Sequence, residues 1–132
     1  MTLTCFVVVD HDEVSSRIVH QALKGAGYEA QVTRSMEEAL TALGDRHLGL
    51  LANVTLPDGQ ACDLIRRVRS WQLASEQRKL VVVGYGAARQ GHRITEALNL
   101  GADAVLRHPI EPTEIEAVLR AVLRRRTQGS LG

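Results

Sequence analysis

A chain of 132 residues with a formal net charge of +1 is one ordinary domain, long enough to bury a core without metals or disulfides. That near-neutral balance gives no global reason to expect nucleic acid or a membrane surface as partner, and no apolar stretch reaches the roughly 20 residues of a spanning helix. The N-terminus lacks a basic segment leading into an apolar core, so the default location is cytoplasmic. Cys5 and Cys62 lack metal-ligand spacing and read as small buried hydrophobes in a reducing compartment; no cofactor is implied.

In chain order, Cys5 to Val9 is a continuous apolar run, as expected of a strand covered on both faces of a parallel sheet. Val14, Ile18, Ala22 and Ala26 then share one helical face, with Val19 and Leu23 beside them. Tyr28 to Thr33 alternates and predicts an edge strand. Ser35-Met36-Glu37-Glu38 is a capping box opening a second helix that stops at Gly44. Leu48 to Ala52 is the third strand, and Pro57-Asp58-Gly59 a turn in which Asp58 serves the backbone. Ala61, Leu64, Ile65 and Val68 make a third helical stripe, and Leu80 to Val83 a fourth strand. Ile94, Ala97 and Leu98 mark a fourth helix closed by Gly101, where glycine is favoured after a C-terminus. Ala104 to Leu106 is a short fifth strand. Ile115, Val118, Leu119, Val122 and Leu123 repeat at three and four, with Pro112 near the helix start, where its missing N–H costs little. The order is β-α five times, which predicts an α/β doubly wound sheet with helices on both faces. Residues 1–126 form the domain and 127–132 a flexible tail or the start of a linker. The start at Met1 and this tail suggest an N-terminal module, whose continuation, if any, lies outside this sequence.

Three strands end in polar residues: the first in Asp10-His11-Asp12, the third in Asn53, the fifth in His108-Pro109. In a parallel α/β sheet such ends converge on one crevice. This layout resembles the receiver domain of bacterial two-component response regulators over nearly the whole chain. The resemblance implies the five-stranded, flavodoxin-like sheet order 2-1-3-4-5 with five helices. It also implies a site made of an acidic pair after the first strand, a phosphate-accepting Asp after the third, a Thr or Ser after the fourth, and a Lys before Pro after the fifth. By that spacing Asp10 and His11 hold the acidic pair and Asn53 the acceptor position. Gly84 stands at the Thr/Ser position, with Gly86 the alternative because the following loop is longer, and His108 stands at the Lys position. The matching Lys-Pro bond is often cis. The family's rotating aromatic switch corresponds to Val105.

Phosphoryl transfer is mostly positioning plus charge stabilisation around a carboxylate nucleophile and a divalent ion. An amide at Asn53 is a poor, uncharged nucleophile. Each missing carboxylate removes on the order of several kcal/mol of attraction for a divalent ion, and Mg²⁺ prefers carboxylates. No metal is therefore assigned; Asp10 and Asp12 are the positions that would hold one. Each position has a plainer reading. Asp10 would cap the first helix or turn, Asn53 would bond neighbouring loops, and His20, His47 and His92 would be solvated. Gly84-Tyr85-Gly86 lacks dinucleotide spacing and reads as a flexible loop. Trp71 and Tyr85 are the aromatics expected to be accessible to a partner, with packing of either under its own loop an equal alternative. The run Arg120, Arg124, Arg125 and Arg126 complements a helix C-terminus.

The expectation is a degenerate, or pseudo, receiver, not an enzyme, with no catalytic residue. It would act as a phosphorylation-independent interaction module in signal transduction or transcriptional control, meeting another protein or an output domain of the same chain. A homodimer would use the face of the fourth helix, fifth strand and fifth helix, with Arg93, Glu96, Asp103, Arg107 and Arg120, and double replacement of Asp103 and Arg120 would weaken it. Direct contact with nucleic acid or membrane is not expected. Two alternatives stand beside it: a small-ligand, metal or pH sensor built on Asp10, His11, Asn53 and His108, and a receiver phosphorylated on Asp12 or Asp58.

Overall fold

Apolar runs long enough for a strand, separated by helices with one apolar stripe, leave little choice but a sheet buried between two helical layers. The computed structural model describes residues 4–44, 46–75 and 80–131, the side chains of 71–75, 88 and 126–131 excepted. The elements are β1 (Cys5–Val9), α1 (Glu13–Gly25), β2 (Glu29–Thr33), α2 (Met36–Ala42), β3 (His47–Asn53), β4 (Thr55–Leu56), β5 (Gly59–Gln60), α3 (Ala61–Ser75), β6 (Val81–Gly86), a 3₁₀ turn (Ala88–Gln90), α4 (Gly91–Asn99), β7 (Ala104–Arg107) and α5 (Pro112–Leu131). The main sheet is parallel in the order β2-β1-β3-β6-β7. That is the expected order once the two-residue strands β4 and β5, which the sequence did not announce, are counted. They pair antiparallel across the Pro57-Asp58 turn.

The two sheet faces bury separate cores. Val7, Val9, Leu50, Ala52 and Val82 meet α3 through Leu64, Ile65 and Val68. Phe6, Val8, Leu51, Val81, Val83 and Tyr85 meet α1 and α5 through Val19, Leu23, Ile115 and Leu119. Each fully buried aliphatic of this size stabilises the fold by roughly 1.5–3 kcal/mol, so the alternation inside each strand is the main fold determinant. Two residues expected on the inner helical faces lie outside: Val14 is 67% and Leu98 44% exposed. His47 goes the other way. It is fully buried, its Nδ1 accepting from Gly44 N–H at 3.1 Å and its Nε2 facing Gln31 Oε1 at 3.1 Å, and is not the solvated residue expected.

Helix ends follow the local signals. Ser35 accepts from Glu38 N–H at 3.2 Å, while the Glu38 carboxylate reaches back to Arg34 N–H at 3.1 Å, one residue before the cap itself. Gly101 has φ +117, the left-handed conformation its position requires. At the C-terminus α5 continues to Leu131, so most of 127–132, expected as a tail, is helical in backbone. The described helices include none long and apolar enough to cross a membrane.

The Asp58 carboxylate docks on the start of α2, accepting from Met36 N–H at 2.9 Å and Glu37 N–H at 3.1 Å. Those two backbone bonds hold its acidity stronger than that of an ordinary aspartate, the Met36 bond most of all. A depressed folded-state value stabilises the fold above the unfolded value, near about pH 4, and that contribution is lost as pH falls through the folded value. Asp58→Ala should therefore unfold at lower urea than the parent at pH 7, with the gap closing in acid. A gap that persists below both values would mean the carboxylate is not what anchors the turn.

Candidate functional site

The C-terminal ends of β1, β3 and β6 bring Asp10, Asn53 and Tyr85 together. Asp10 follows the last apolar residue of β1 and is fully buried. Its Oδ1 accepts from Asp12 N–H at 2.9 Å and from the Asn53 amide Nδ2 at 3.1 Å. Its Oδ2 accepts from the Tyr85 hydroxyl at 2.7 Å and from the Ser15 hydroxyl. A carboxylate has about four lone-pair sites, and here all are taken by this chain's own donors. The Asn53 carbonyl Oδ1 in turn accepts from Thr55 N–H at 3.0 Å, which orients its amide with nitrogen toward Asp10. Arg34 donates Nη1 to the Asp10 backbone carbonyl at 3.1 Å and to Ser16 Oγ at 2.9 Å, bringing a cation alongside.

Asp12, not Asp10, caps α1, accepting from Ser15 N–H at 2.9 Å; the backbone N–H that Asp10 accepts is that of Asp12, in the preceding turn. The Ser15 bond holds the Asp12 carboxyl below its ordinary value. Tyr85 is displaced furthest: burial, then the adjacent Asp10 charge, raise its phenol well above the ordinary range. Tyr85 is fully buried and is not the accessible anchor expected; the Trp71 side chain lies outside the described residues. We expect Tyr85→Phe to lose roughly 1–3 kcal/mol, because a buried carboxylate loses one donor and nothing replaces it. An unchanged urea midpoint in that variant would show the bond to be dispensable.

Above this network lies a crevice of about 400 Å³ bordered by His11, Asp12, Asn53, Thr55, Arg89 and His108, among others. Asp10 is not on its wall, so the carboxylate and the two histidines do not share one exposed site. His108 packs its ring edge-on to Tyr85, centroids 6.0 Å apart, and the His108-Pro109 bond is cis. Among the described residues no three or more His, Cys, Asp or Glu side chains are placed to hold a metal ion. Gly84 sits inside β6, where a Cβ would make ordinary contacts with Ala97 and Val105, the latter half-buried. Gly86 ends the strand at the crevice, and its position is crowded: a Cβ there would lie 2.5 Å from Val54 Cγ2 and 3.0 Å from Gln90 Oε1. Both cysteines are unpaired in a disulfide sense and buried, and burial pushes both thiols up, as befits core residues.

The family model described as the response regulator receiver domain matches residues 6–120. The chain belongs to that family. As a receiver it is similar to the KDP operon transcriptional regulatory protein KdpE of Escherichia coli (strain K12), 31% identical over 127 residues, covering 93% of this chain and 52% of the relative. It is also similar to the phosphate regulon transcriptional regulatory protein PhoB of Pseudomonas aeruginosa, 29% identical over 93% of this chain and 53% of the relative. The receiver thus spans about half the length of these curated relatives. The fold is that of the response regulator receiver domain protein from Clostridium thermocellum, with TM-score 0.81 at 16% identity over 96% of this chain and 98% of that one.

On the receiver's α4–β7–α5 face the expected interface residues divide. Glu96 and Arg107 are exposed. Arg120 is exposed and paired with Glu116 Oε1 at 2.8 Å, an i,i+4 contact worth a few tenths of a kcal/mol. Arg93 is half-buried and turned inward, donating to Thr55 Oγ1 at 3.0 Å, where Gln90 Nε2 also bonds. Asp103 accepts from Val82 N–H at 2.8 Å and pairs with Arg69 at 3.2 Å, both side chains largely buried. A joint Asp103 and Arg120 replacement would therefore damage the receiver's own frame as well as any interface.

Proposed function

We propose that this receiver is a pseudo-receiver: a phosphorylation-independent, non-enzymatic interaction module of a cytoplasmic signalling or transcriptional regulator. The observation that carries the reading is the Asp10 carboxylate, buried and fully occupied by four internal donors. A divalent ion recruited to Asp10 would have to displace Tyr85, Ser15 or Asn53. The acceptor position offers an amide, which is neither charged nor nucleophilic. The two other carboxylates considered as acceptors are in use, Asp12 on the start of α1 and Asp58 on the start of α2. What remains is a rigid platform presenting surfaces to another protein or to an output domain, with the α4–β7–α5 face a candidate for self-association and no direct role with nucleic acid or membrane.

Intact mass after incubation with acetyl phosphate and Mg²⁺ tests the reading. The expected result is an unchanged mass. A phosphoryl adduct mapping to Asp12, Asp58 or any other carboxylate would overturn it. A second reading, small-ligand sensing, has the crevice flanked by His11 and His108 in its favour; no binding heat with inorganic anions or zinc in calorimetry, or heat left unchanged when either histidine is replaced, would count against it.

A further inference from the structure

We infer that the crevice at the ends of β1, β3 and β6 is a docking pocket for an acidic, aliphatic-flanked segment of a partner protein. This rests on the pseudo-receiver reading and names the partner chemistry for it. Of the two carboxylates nearest the crevice, Asp10 is spent inside the fold on four donors, while Asp12, exposed on the wall, accepts at Oδ1 from the Ser15 N–H, where the positive end of α1 offsets its charge. Besides Asp12, the ionisable groups on the wall are Arg89, His11 and His108. Arg89 is exposed and forms no ion pair among the described residues. A guanidinium without an internal partner, beside two imidazoles, is complementary to a carboxylate.

The crevice has an apolar lining as well. Val14, 67% exposed and the more exposed of the two large hydrophobics that reach solvent among the described residues, lines the same crevice with Ile18 and Ala87. An aliphatic wall gives nothing to a hydrated inorganic anion, whereas it buries the neighbour of an acidic residue in a polypeptide. At about 400 Å³ the crevice has the size of pockets that admit side chains or small ligands. Its floor is held in shape by Asn53, bonded on both sides, and by the Gln90 and Arg93 contacts to Thr55. The pocket is pre-formed, so little ordering cost opposes docking.

The test is an amide NMR titration of the full chain with the peptide acetyl-Leu-Glu-Leu-Glu-Leu-amide, run beside its Lys-for-Glu counterpart, acetate and inorganic phosphate. The expected result is saturable shifts at His11, Val14, Arg89 and His108 with the acidic peptide, about tenfold tighter than acetate or phosphate. Arg89→Glu and Val14→Asp, both surface changes, each weaken it by about tenfold while leaving the core amide spectrum in place. Equal affinity for phosphate or acetate would make this a free-anion site and overturn the inference. Shifts on another face, equal response to the lysine peptide, broadening from self-association through the crevice, or no saturation would each overturn it too. A phosphoryl adduct in the mass experiment, by contrast, sinks the underlying pseudo-receiver reading and is read independently of any peptide.

Discussion

Asp10→Ala is expected to lower folding stability by about 3 kcal/mol or more, because it strands several buried donors at once. The Tyr85 hydroxyl and the Asn53 amide bond that carboxylate from positions that water does not reach easily, since Tyr85 is fully buried and Asn53 is 8% exposed. Ser15 is 6% exposed and is stranded likewise, whereas Asp12 N–H belongs to an exposed residue and contributes less. Total stability of a domain this size is only about 5–15 kcal/mol, so the loss should lower the melting temperature by roughly 10 °C. Urea and thermal unfolding check it. A loss below about 0.5 kcal/mol would show that the network is not what holds the strand ends together, and the argument that Asp10 is unavailable to an ion would lose its support.

Arg69→Met should cost a comparable amount, about 3 kcal/mol, although Arg69 is far from the crevice. Its guanidinium donates twice to the Gly101 carbonyl, at 3.0 and 2.6 Å, once to the Leu80 carbonyl at 2.8 Å, and pairs with Asp103 at 3.2 Å. The paired side chains are 14% and 17% exposed, so removing the cation leaves a carboxylate and two carbonyls poorly solvated. The methylene stem is kept in methionine, which isolates the polar loss. Arg120→Ala provides the contrast: its pair with Glu116 has exposures of 64% and 46%, and its loss should fall within about 0.5 kcal/mol. Denaturation midpoints of the two variants side by side decide it; equal losses would mean that burial does not set the strength of these ion pairs.

The framework was readable because strand and helix periods are local signals. Val7 and Val9 against Phe6 and Val8 already separate the two cores, and Ser35, Gly101 and Pro112 mark helix ends from within a few residues. The site was readable only in part. Asp10, Asn53 and His108 follow from strand ends, but Tyr85, open between an accessible and a packed position, has the parity of Val81 and Val83, which points it to the α1–α5 core. Ser15, which closes the Asp10 network, looked like any residue in a first helical turn. The contacts of Asp103 and the burial of His47 escape the sequence for a different reason: their partners, Arg69 and Gln31, stand 34 and 16 positions away, and no periodicity reports a contact made across elements.

The crowding at Gly86 has an evolutionary consequence. A hydroxyl-bearing side chain there would meet Val54 Cγ2 and the Gln90 side chain before it could reach the crevice. Regaining an acceptor at Asn53 would, by itself, set a second carboxylate beside the buried Asp10, whose Oδ1 the Asn53 amide now bonds. On the pseudo-receiver reading, and with Gly86 at the Thr/Ser position, each step toward phosphoryl chemistry is thus disfavoured until others have been taken. The route would then be a ratchet, each substitution waiting on another.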